Sequence, residues 1–122
     1  MQSKAKNLLR VEYLAMEISQ TGILEVILEG KSESISVESD DQIEKIVKAL
    51  SSRTRRKILQ YINEEPLDVS NIASILNMTE ANISAQIKKL EAAGLINCTY
   101  SSGDHGVRKI SSPKFHRLVI KF

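Results

Sequence analysis

The sequence predicts an α+β fold in which a central run of helices lies between two regions of strand character. Three observations predict this class. Two short β-like segments surround Gly30, apolar residues recur at helical spacing between residues 40 and 94, and polar and apolar residues alternate again after residue 95. A length of 122 residues fits one domain, and a hydrophobic content of 42% excludes a disordered chain.

The N-terminal 40 residues predict a helix followed by a β-hairpin. Roughly residues 4–19 have apolar residues at helical spacing and favour a helix, although a strand opening a small meander is the alternative. Residues 23–29 are β-branched and bounded by glycines, which predicts a strand. A turn at Gly30 and an alternating segment at residues 34–38 predict the return strand of a hairpin.

Two helices are predicted next. Ser39 or Asp40 can cap the first of them, whose apolar stripe is formed by Ile43, Ile46, Val47 and Leu50. The second helix covers about residues 53–63, and its first turn is crowded with Arg53, Arg55, Arg56 and Lys57. Positive charge opposes the dipole at a helix N-terminus. An anionic partner would explain the arrangement, and a solvated basic surface is the alternative.

A third and a fourth helix follow with very little chain between them. Asp68 is a natural cap for the third helix, and Asn77 tolerates the left-handed conformation that ends it. Thr79 then caps a fourth helix over residues 80–93, which Gly94 closes. Two helices joined by a tight turn are typical of the helix-turn-helix, whose second helix enters the DNA major groove.

The fourth helix has an outer face that suits a DNA groove. At about 100° per residue, the positions opposite or flanking its apolar stripe carry no acid. These positions are Ala81, Asn82, Ser84, Ala85, Gln86, Lys88 and Lys89. Asn and Gln can bond two atoms on an adenine edge, and lysines neutralise phosphates. The sequence therefore predicts base contacts from Asn82, Ser84 and Gln86, although a plain amphipathic helix is the alternative.

A predicted hairpin follows the helices directly. Residues 95–101 and 106–111 predict two strands, joined by a polar tip that contains glycine. A helix-turn-helix followed by a hairpin is the order of a winged helix, and its wing would place His105, Arg108 and Lys109 near phosphates. A last strand at the C-terminus has an apolar face of Leu118, Ile120 and Phe122, expected in the core. It could pair with the N-terminal hairpin or with a partner subunit.

Composition narrows the function further. Residues 1–40 carry four bases against seven acids, whereas residues 41–122 carry thirteen bases against eight acids, which favours a polyanion partner for the second part. No apolar run approaches the roughly 18 residues of a membrane span and no secretion signal is evident, so we expect a soluble cytoplasmic protein. Trp is absent and aromatic residues make up 4%, which disfavours an aromatic surface on which the bases of single-stranded nucleic acid stack.

Catalytic and metal-binding patterns are missing from the sequence. There is no nucleophile elbow, phosphate-binding loop, zinc-protease motif or glycine-rich dinucleotide turn, so we expect no enzyme and no cofactor. The single cysteine, Cys98, excludes a disulfide within the chain. The spacing of Cys98, His105 and His116 matches no compact ligand motif, and we expect no metal site.

The stretch from Ile43 to Ile110 resembles the arsenical-resistance-repressor (ArsR-like) family of winged helix-turn-helix transcriptional regulators, with archaeal regulators of this type particularly similar. The segments that carry the resemblance are ALSSRTRRKILQYI at residues 49–62, VSNIASILNMTEANISAQIKKLEAAGLI at residues 69–96, and the wing at Gly103 and Gly106. Together they cover just over half of the chain.

The resemblance implies a dimer that binds a roughly palindromic operator. Family recognition residues map onto Asn82, Ser84, Ala85 and Gln86, and many members have a histidine where this chain has Ala85. Arg55 matches the family's arginine at the start of the second helix. The cysteines of metal-sensing members are absent at residues 67–71, and a strand-like C-terminus replaces the usual last helix, so the N-terminal segment is the expected substitute at the dimer interface.

The sequence therefore predicts a winged helix-turn-helix domain over residues 41–122, with residues 1–40 as an N-terminal helix and β-hairpin extension for dimerisation or sheet extension. The expected function is that of a homodimeric transcriptional regulator, a repressor, that binds double-stranded DNA. Phosphate contacts are expected from Arg55, Arg56, Lys88, Lys89, His105, Arg108 and Lys109. The alternative is a winged helix that docks a partner protein without specific DNA binding. A small-molecule effector is compatible with the first interpretation.

Overall fold

The computed structural model describes residues 9–16, 24–104 and 106–122. Helix α1 is helical over residues 9–16, which agrees with the helix expected there; the rest of the predicted segment lies outside the described residues. All eight of these α1 residues are exposed. Within the described ranges, no helix is both long and apolar enough to cross a bilayer.

The predicted N-terminal hairpin is present. Strand β1 (Glu25–Glu29) pairs antiparallel with β2 (Ser34–Val37), and the amide of Gly30 donates to the carbonyl of Glu33 at 2.7 Å to close the turn. Alternation along β1 buries Val26 and Leu28, which lie on the same face of the sheet.

The C-terminal strand β6 (Arg117–Lys121) joins this hairpin rather than standing alone. It pairs antiparallel with β1, so the first sheet has the order β2-β1-β6. Of the two pairings that the sequence left open, the structure has the one within the chain. The expectation of a buried apolar face is correct only for Leu118, which packs against the core. Ile120 is 43% exposed and Phe122 is fully exposed.

Four helices form the centre of the fold, and each begins at a polar cap. Helix α2 (Asp40–Leu50) is capped by Ser39, α3 (Arg53–Glu64) by Ser52, α4 (Val69–Leu76) by Asp68 and α5 (Glu80–Ala92) by Thr79. In each case the side-chain oxygen accepts a backbone N–H of the first turn. Of the two caps proposed for α2, Ser39 is the one used.

A second sheet follows the helices and forms the wing. Strand β4 (Ile96–Gly103) pairs with β5 (Gly106–Pro113) along their whole length, up to the pair Gly103 and Gly106. Both strands are longer than predicted. A two-residue strand, β3 (Leu67–Asp68), was not predicted, and it pairs with β5 to give the order β3-β5-β4. The β3 pairing attaches the wing to the start of α4.

The core lies where the helices meet both sheets. The largest apolar side chains with less than 2% exposure come from β1 and from α2, α3, α4 and α5. They are Val26, Ile46, Ile58, Ile62, Ile72, Ile83, Ile87 and Leu90. Burying one such side chain contributes about 1.5–3 kcal/mol. The helix-turn-helix is therefore fixed to the rest of the domain by isoleucine packing on its inner faces.

Candidate nucleic-acid interface

The turn between α4 and α5 positions the helix that sequence analysis assigned to the major groove. Asn77 ends α4 in the left-handed region, with φ 54° and ψ 51°, and its amide donates to the carbonyl of Ala73. The amide of Met78 donates to the same carbonyl at 2.9 Å. Thr79 then caps α5 by accepting the amide of Asn82 at 3.1 Å. Only Met78 separates the two cap residues, so the angle between the helices is set locally.

The outer face of α5 is polar and without acidic side chains. The inner stripe of Ile83, Ile87 and Leu90 is completely buried, as predicted. Opposite it, Ala81, Ala85, Lys88 and Lys89 are exposed, and Asn82, Ser84 and Gln86 are half-buried on its flanks. All four residues predicted to contact bases therefore lie on one helix face, with two alanines at its centre. Small side chains at these positions allow a close approach to a groove.

Lys88 and Lys89 differ from most of the other residues predicted to contact DNA phosphates, which have partners within the protein. Both are exposed, and neither side chain forms an ion pair or hydrogen bond with any residue in the described part of the chain. Their ammonium groups are therefore available to an external anion.

Two of the arginines that crowd the start of α3, Arg55 and Arg56, have partners within the fold. Arg55 donates from Nε to the carbonyl of Ala49 at 2.8 Å and from Nη2 to that of Lys48 at 2.9 Å. Arg56 donates from Nη1 to the carbonyl of Leu50 at 2.8 Å. These carbonyls form the C-terminus of α2, whose dipole is negative at that end. The unfavourable position at one helix is therefore offset at another, and an external anion is not needed to explain it.

Arg55 also contacts the predicted base-contacting residues. Its Nη1 donates to Oε1 of Gln86 at 2.7 Å, and Nε2 of Gln86 donates to Oδ1 of Asn82 at 3.0 Å. We call these three residues the amide chain. It connects the start of α3 to the outer face of α5, so the orientation of both amides is fixed before any ligand arrives.

In the wing, Arg108 is held by a buried carboxylate. Its Nε and Nη2 both contact Oδ2 of Asp68, at 2.7 and 2.6 Å, while Oδ1 of Asp68 accepts the amide of Asn71 at 2.7 Å. Burial raises the pKa of Asp68, but these donors outweigh it and hold the pKa below its ordinary value. The Arg108 side chain remains 54% exposed. It can therefore face a phosphate while fixed to Asp68.

Lys109 is less available than its position suggested. Its Nζ lies 2.6 Å from Oε1 of Glu91 on α5, and its side chain is only 19% exposed. The bond to Glu91 raises the pKa of Lys109 above its ordinary value. This pair fastens the wing to α5. His105, the remaining wing residue in the prediction, lies outside the described residues.

Cys98, the single cysteine, lies on β4 beside Ser111 of β5. Cys98 is half-buried, with its Sγ 3.5 Å from Oγ of Ser111, and burial raises the pKa of its thiol. Across residues 9–16, 24–104 and 106–122, no three His, Cys, Asp or Glu side chains cluster in a way that could hold a metal ion.

Sequence analysis missed three structural contributors to this surface. Asp68 was identified as a cap but not as the partner of Arg108, 40 residues away, and Glu91 was not assigned a role. The contact of Arg55 with Gln86 spans 31 residues. The clustering of Arg53, Arg55 and Arg56 in one helical turn indicated that this positive charge needs a partner. It did not indicate that the partners of Arg55 and Arg56 lie within the protein.

A cavity of about 240 Å³ lies away from this surface, between the two sheets. Its lining is mainly apolar and comes mostly from β1, α2, α3, β6 and the segment that joins β5 to β6. Leu28, Leu50, Leu59, Phe115 and Leu118 are among the lining residues.

Comparison with protein families finds a match over residues 52–97 to the family described as bacterial regulatory protein, arsR family. The matched segment begins at the Ser52 cap and ends within β4, so it contains α3, the helix-turn-helix and the start of the wing.

Solved structures give the same result for the fold. A possible transcriptional regulatory protein from Mycobacterium bovis (fragment 1–100) superposes with a TM-score of 0.54 at 26% identity, covering 60% of this chain and 74% of that one. A solution structure of a homodimeric winged helix-turn-helix DNA-binding domain from the same organism, a possible ArsR-family regulator, gives 0.54 at 25% identity, covering 60% and 64%. An ArsR family transcriptional regulator gives 0.52 at 29% identity, covering 60% and 76%.

Proposed function

Because residues 52–97 match the model of the arsR family of regulatory proteins, we propose that this DNA-binding transcriptional regulator acts as a homodimeric repressor whose helix α5 contacts bases in the major groove. The observation that carries the proposal is the outer face of α5. It combines amides and a hydroxyl at its flanks, alanines at its centre, and two lysines without internal partners. The assignment as a repressor rests on the family resemblance alone.

The role proposed for each side chain depends on whether it already has a hydrogen-bond or ion-pair partner within the protein. Asn82, Ser84 and Gln86 contact base edges, with Ala85 allowing close approach, whereas Lys88 and Lys89 contact phosphates from the same helix. Arg108 contacts the backbone from the wing, where Asp68 orients it. Arg55, Arg56 and Lys109 contribute mainly by holding the helices and the wing in place, because their donors already have internal partners.

The dimer is proposed to form through residues 1–40, with residues 41–122 as the DNA-binding unit. In α1 the apolar side chains Leu9, Val11, Tyr13, Leu14 and Met16 are 45–67% exposed. A helix that presents apolar residues on several sides needs a partner to remove them from water. A second copy of α1 provides such a partner, and two wings related by a twofold axis fit a palindromic operator.

A small-molecule effector stays a prediction. The cavity between the two sheets is the place where we propose that it binds, and its mainly apolar lining favours an apolar ligand.

Fluorescence anisotropy with the duplex upstream of the protein's own gene and a scrambled duplex, at two salt concentrations, tests the proposed function. We expect at least ~10³-fold selectivity and a steep loss of affinity with salt. The variant Lys89→Ala is expected to weaken binding to both duplexes and to reduce the salt slope by about 1. Lys121→Ala, an exposed lysine on β6, is the matched control and should leave the slope unchanged.

The alternative function, a winged helix that docks a protein, makes the opposite prediction. Neither duplex would then bind at low salt, and Lys89→Ala and Lys121→Ala would be indistinguishable in the assay. That result would reject the DNA-binding proposal.

A further inference from the structure

We infer that Arg55 sets the hydrogen-bonding polarity of α5, so that the helix presents donors to DNA and prefers guanine at the base pair contacted by Asn82 and Gln86. The inference rests on the proposed function and adds the chemistry of the base that α5 selects. Its evidence is the amide chain, in which Arg55, Gln86 and Asn82 are joined by two consecutive hydrogen bonds.

The first member of the amide chain is rigid. The Arg55 guanidinium donates to two carbonyls at the end of α2 and to Gln86, so three of its nitrogens are each committed to a different acceptor. The residue is half-buried, and its backbone amide is itself bonded to the Ser52 cap. Its Nη1 therefore points at the Gln86 amide as a fixed donor.

The chemistry of the side-chain groups determines which atom donates and which accepts in both hydrogen bonds of the amide chain. A guanidinium has donors and no acceptor, so the Gln86 atom that faces it, 2.7 Å away, must be the carbonyl oxygen. The other end of the Gln86 amide, Nε2, can only donate, so the Asn82 atom that faces it at 3.0 Å must also be oxygen. Each carbonyl oxygen thus accepts one hydrogen bond that fixes its position within the protein. The amide hydrogens without a partner among the described residues are those of Asn82 Nδ2 and the second N–H of Gln86.

This polarity conflicts with the adenine contact that the residue types first suggested. Bidentate binding of adenine requires an amide to present its oxygen to N6 and its nitrogen to N7. In the amide chain, turning an oxygen outward would break the bond to Arg55 or the bond that follows it. Guanine instead presents two acceptors, N7 and O6, and no donor on its major-groove edge. Two outward amide donors match guanine, whereas they would face an amino group on adenine or cytosine.

Selection from a pool of random duplexes by the full chain is the experiment, followed by anisotropy with single-base replacements in the selected site. We expect at least one guanine in each half-site whose replacement by adenine, or by 7-deazaguanine, which lacks the N7 acceptor, weakens binding about tenfold or more. Thermal unfolding of each variant confirms that it is folded.

Two variants identify the amide chain as the cause. Arg55→Met releases Gln86, so the discrimination between guanine and adenine should fall to about threefold or less. Gln86→Glu offers only acceptors, which forces Asn82 to donate inward and to expose its oxygen. The preferred base should then be one that presents an amino group, adenine or cytosine.

Arg56→Met is the matched control. It removes the same charge from the same helical turn and one bond to the end of α2, but Arg56 does not contact Gln86. We expect weaker binding to all duplexes with the preference for guanine retained.

The inference is overturned if the chain selects a specific site in which no guanine is preferred, or if Arg55→Met and Gln86→Glu both keep the parental base preference. In those cases specific DNA binding would still stand. If the chain selects no sequence at all from the pool, the proposed function is wrong, and the inference that depends on it is wrong as well.

Discussion

Asp68 is the residue whose replacement tests the architecture of the wing most directly. One carboxylate oxygen accepts the Asn71 amide and caps α4, and the other binds Arg108 at 2.6 and 2.7 Å. The residue is only 7% exposed, so a lost partner is not replaced by water without cost. A cap is typically worth about 1 kcal/mol, and a hydrogen bond to a charged group about 1.5–3 kcal/mol.

These values predict a graded series. Asp68→Asn keeps a good cap and loses the ion pair, so it should lower the free energy of unfolding by about 2 kcal/mol. Asp68→Ala loses both and should cost about 3 kcal/mol. With an m-value near 2 kcal/mol per molar of urea, the Asn variant should unfold at about 1 M less urea. Far-UV circular dichroism during urea titration measures this shift.

The pH dependence of the effect follows from the lowered pKa of Asp68. A carboxyl whose pKa is lower in the folded state contributes stability above its ordinary value of 3.8, and loses it as the pH falls through the folded pKa. The difference between the parent and Asp68→Asn should therefore be constant from pH 7 to 5 and shrink below about pH 4. Protonated Asp68 is neutral, as Asn is, which is why the two proteins converge.

A double-mutant cycle with Arg108→Met isolates the ion pair, and Glu29→Gln is the control. Glu29 pairs with Arg117 at 3.5 Å, and both side chains are substantially exposed, so its loss should cost less than 1 kcal/mol. A loss below 0.5 kcal/mol for Asp68→Asn, or a difference that persists unchanged at pH 3, would refute the assignment of Asp68 as the anchor of the wing.

Two further variants test the dimer and the end of the recognition helix. Tyr13→Glu places a charge within the exposed apolar surface of α1 and should raise the dimer dissociation constant at least tenfold in sedimentation equilibrium. Val107→Glu, at a similarly exposed position on the wing, is the control and should leave the constant unchanged. A parent protein that is monomeric at micromolar concentration would contradict the proposed interface. Gly94→Ala forces a side chain into a backbone with φ +74° and should cost about 1 kcal/mol in a urea titration, although the added methyl meets nothing closer than 3.8 Å. Gly103→Ala, which has no positive φ, is its control, and equal losses would show that backbone conformation is not the cause.

The sequence alone determined the helices and the order of the elements. Caps act within three residues, so Ser39, Asp68 and Thr79 mark helix starts wherever the chain goes afterwards. The apolar spacing of Ile83, Ile87 and Leu90 fixed which face of α5 is buried and therefore which residues point outward. These local rules were sufficient to predict a helix-turn-helix followed by a hairpin, and the resemblance to the family added the dimer and the operator.

Only the tertiary structure decided how distant residues meet. The pairing of β6 with β1 and of β3 with β5 depends on residues far apart in the chain, and a strand of two residues leaves no periodic pattern to detect. The side-chain partners of Arg55, Arg108 and Lys109 lie 18–40 residues away. A basic residue looks the same in sequence whether it faces a phosphate or a carboxylate. Which basic residues are left free, and which amide atoms turn outward, was therefore fixed by packing.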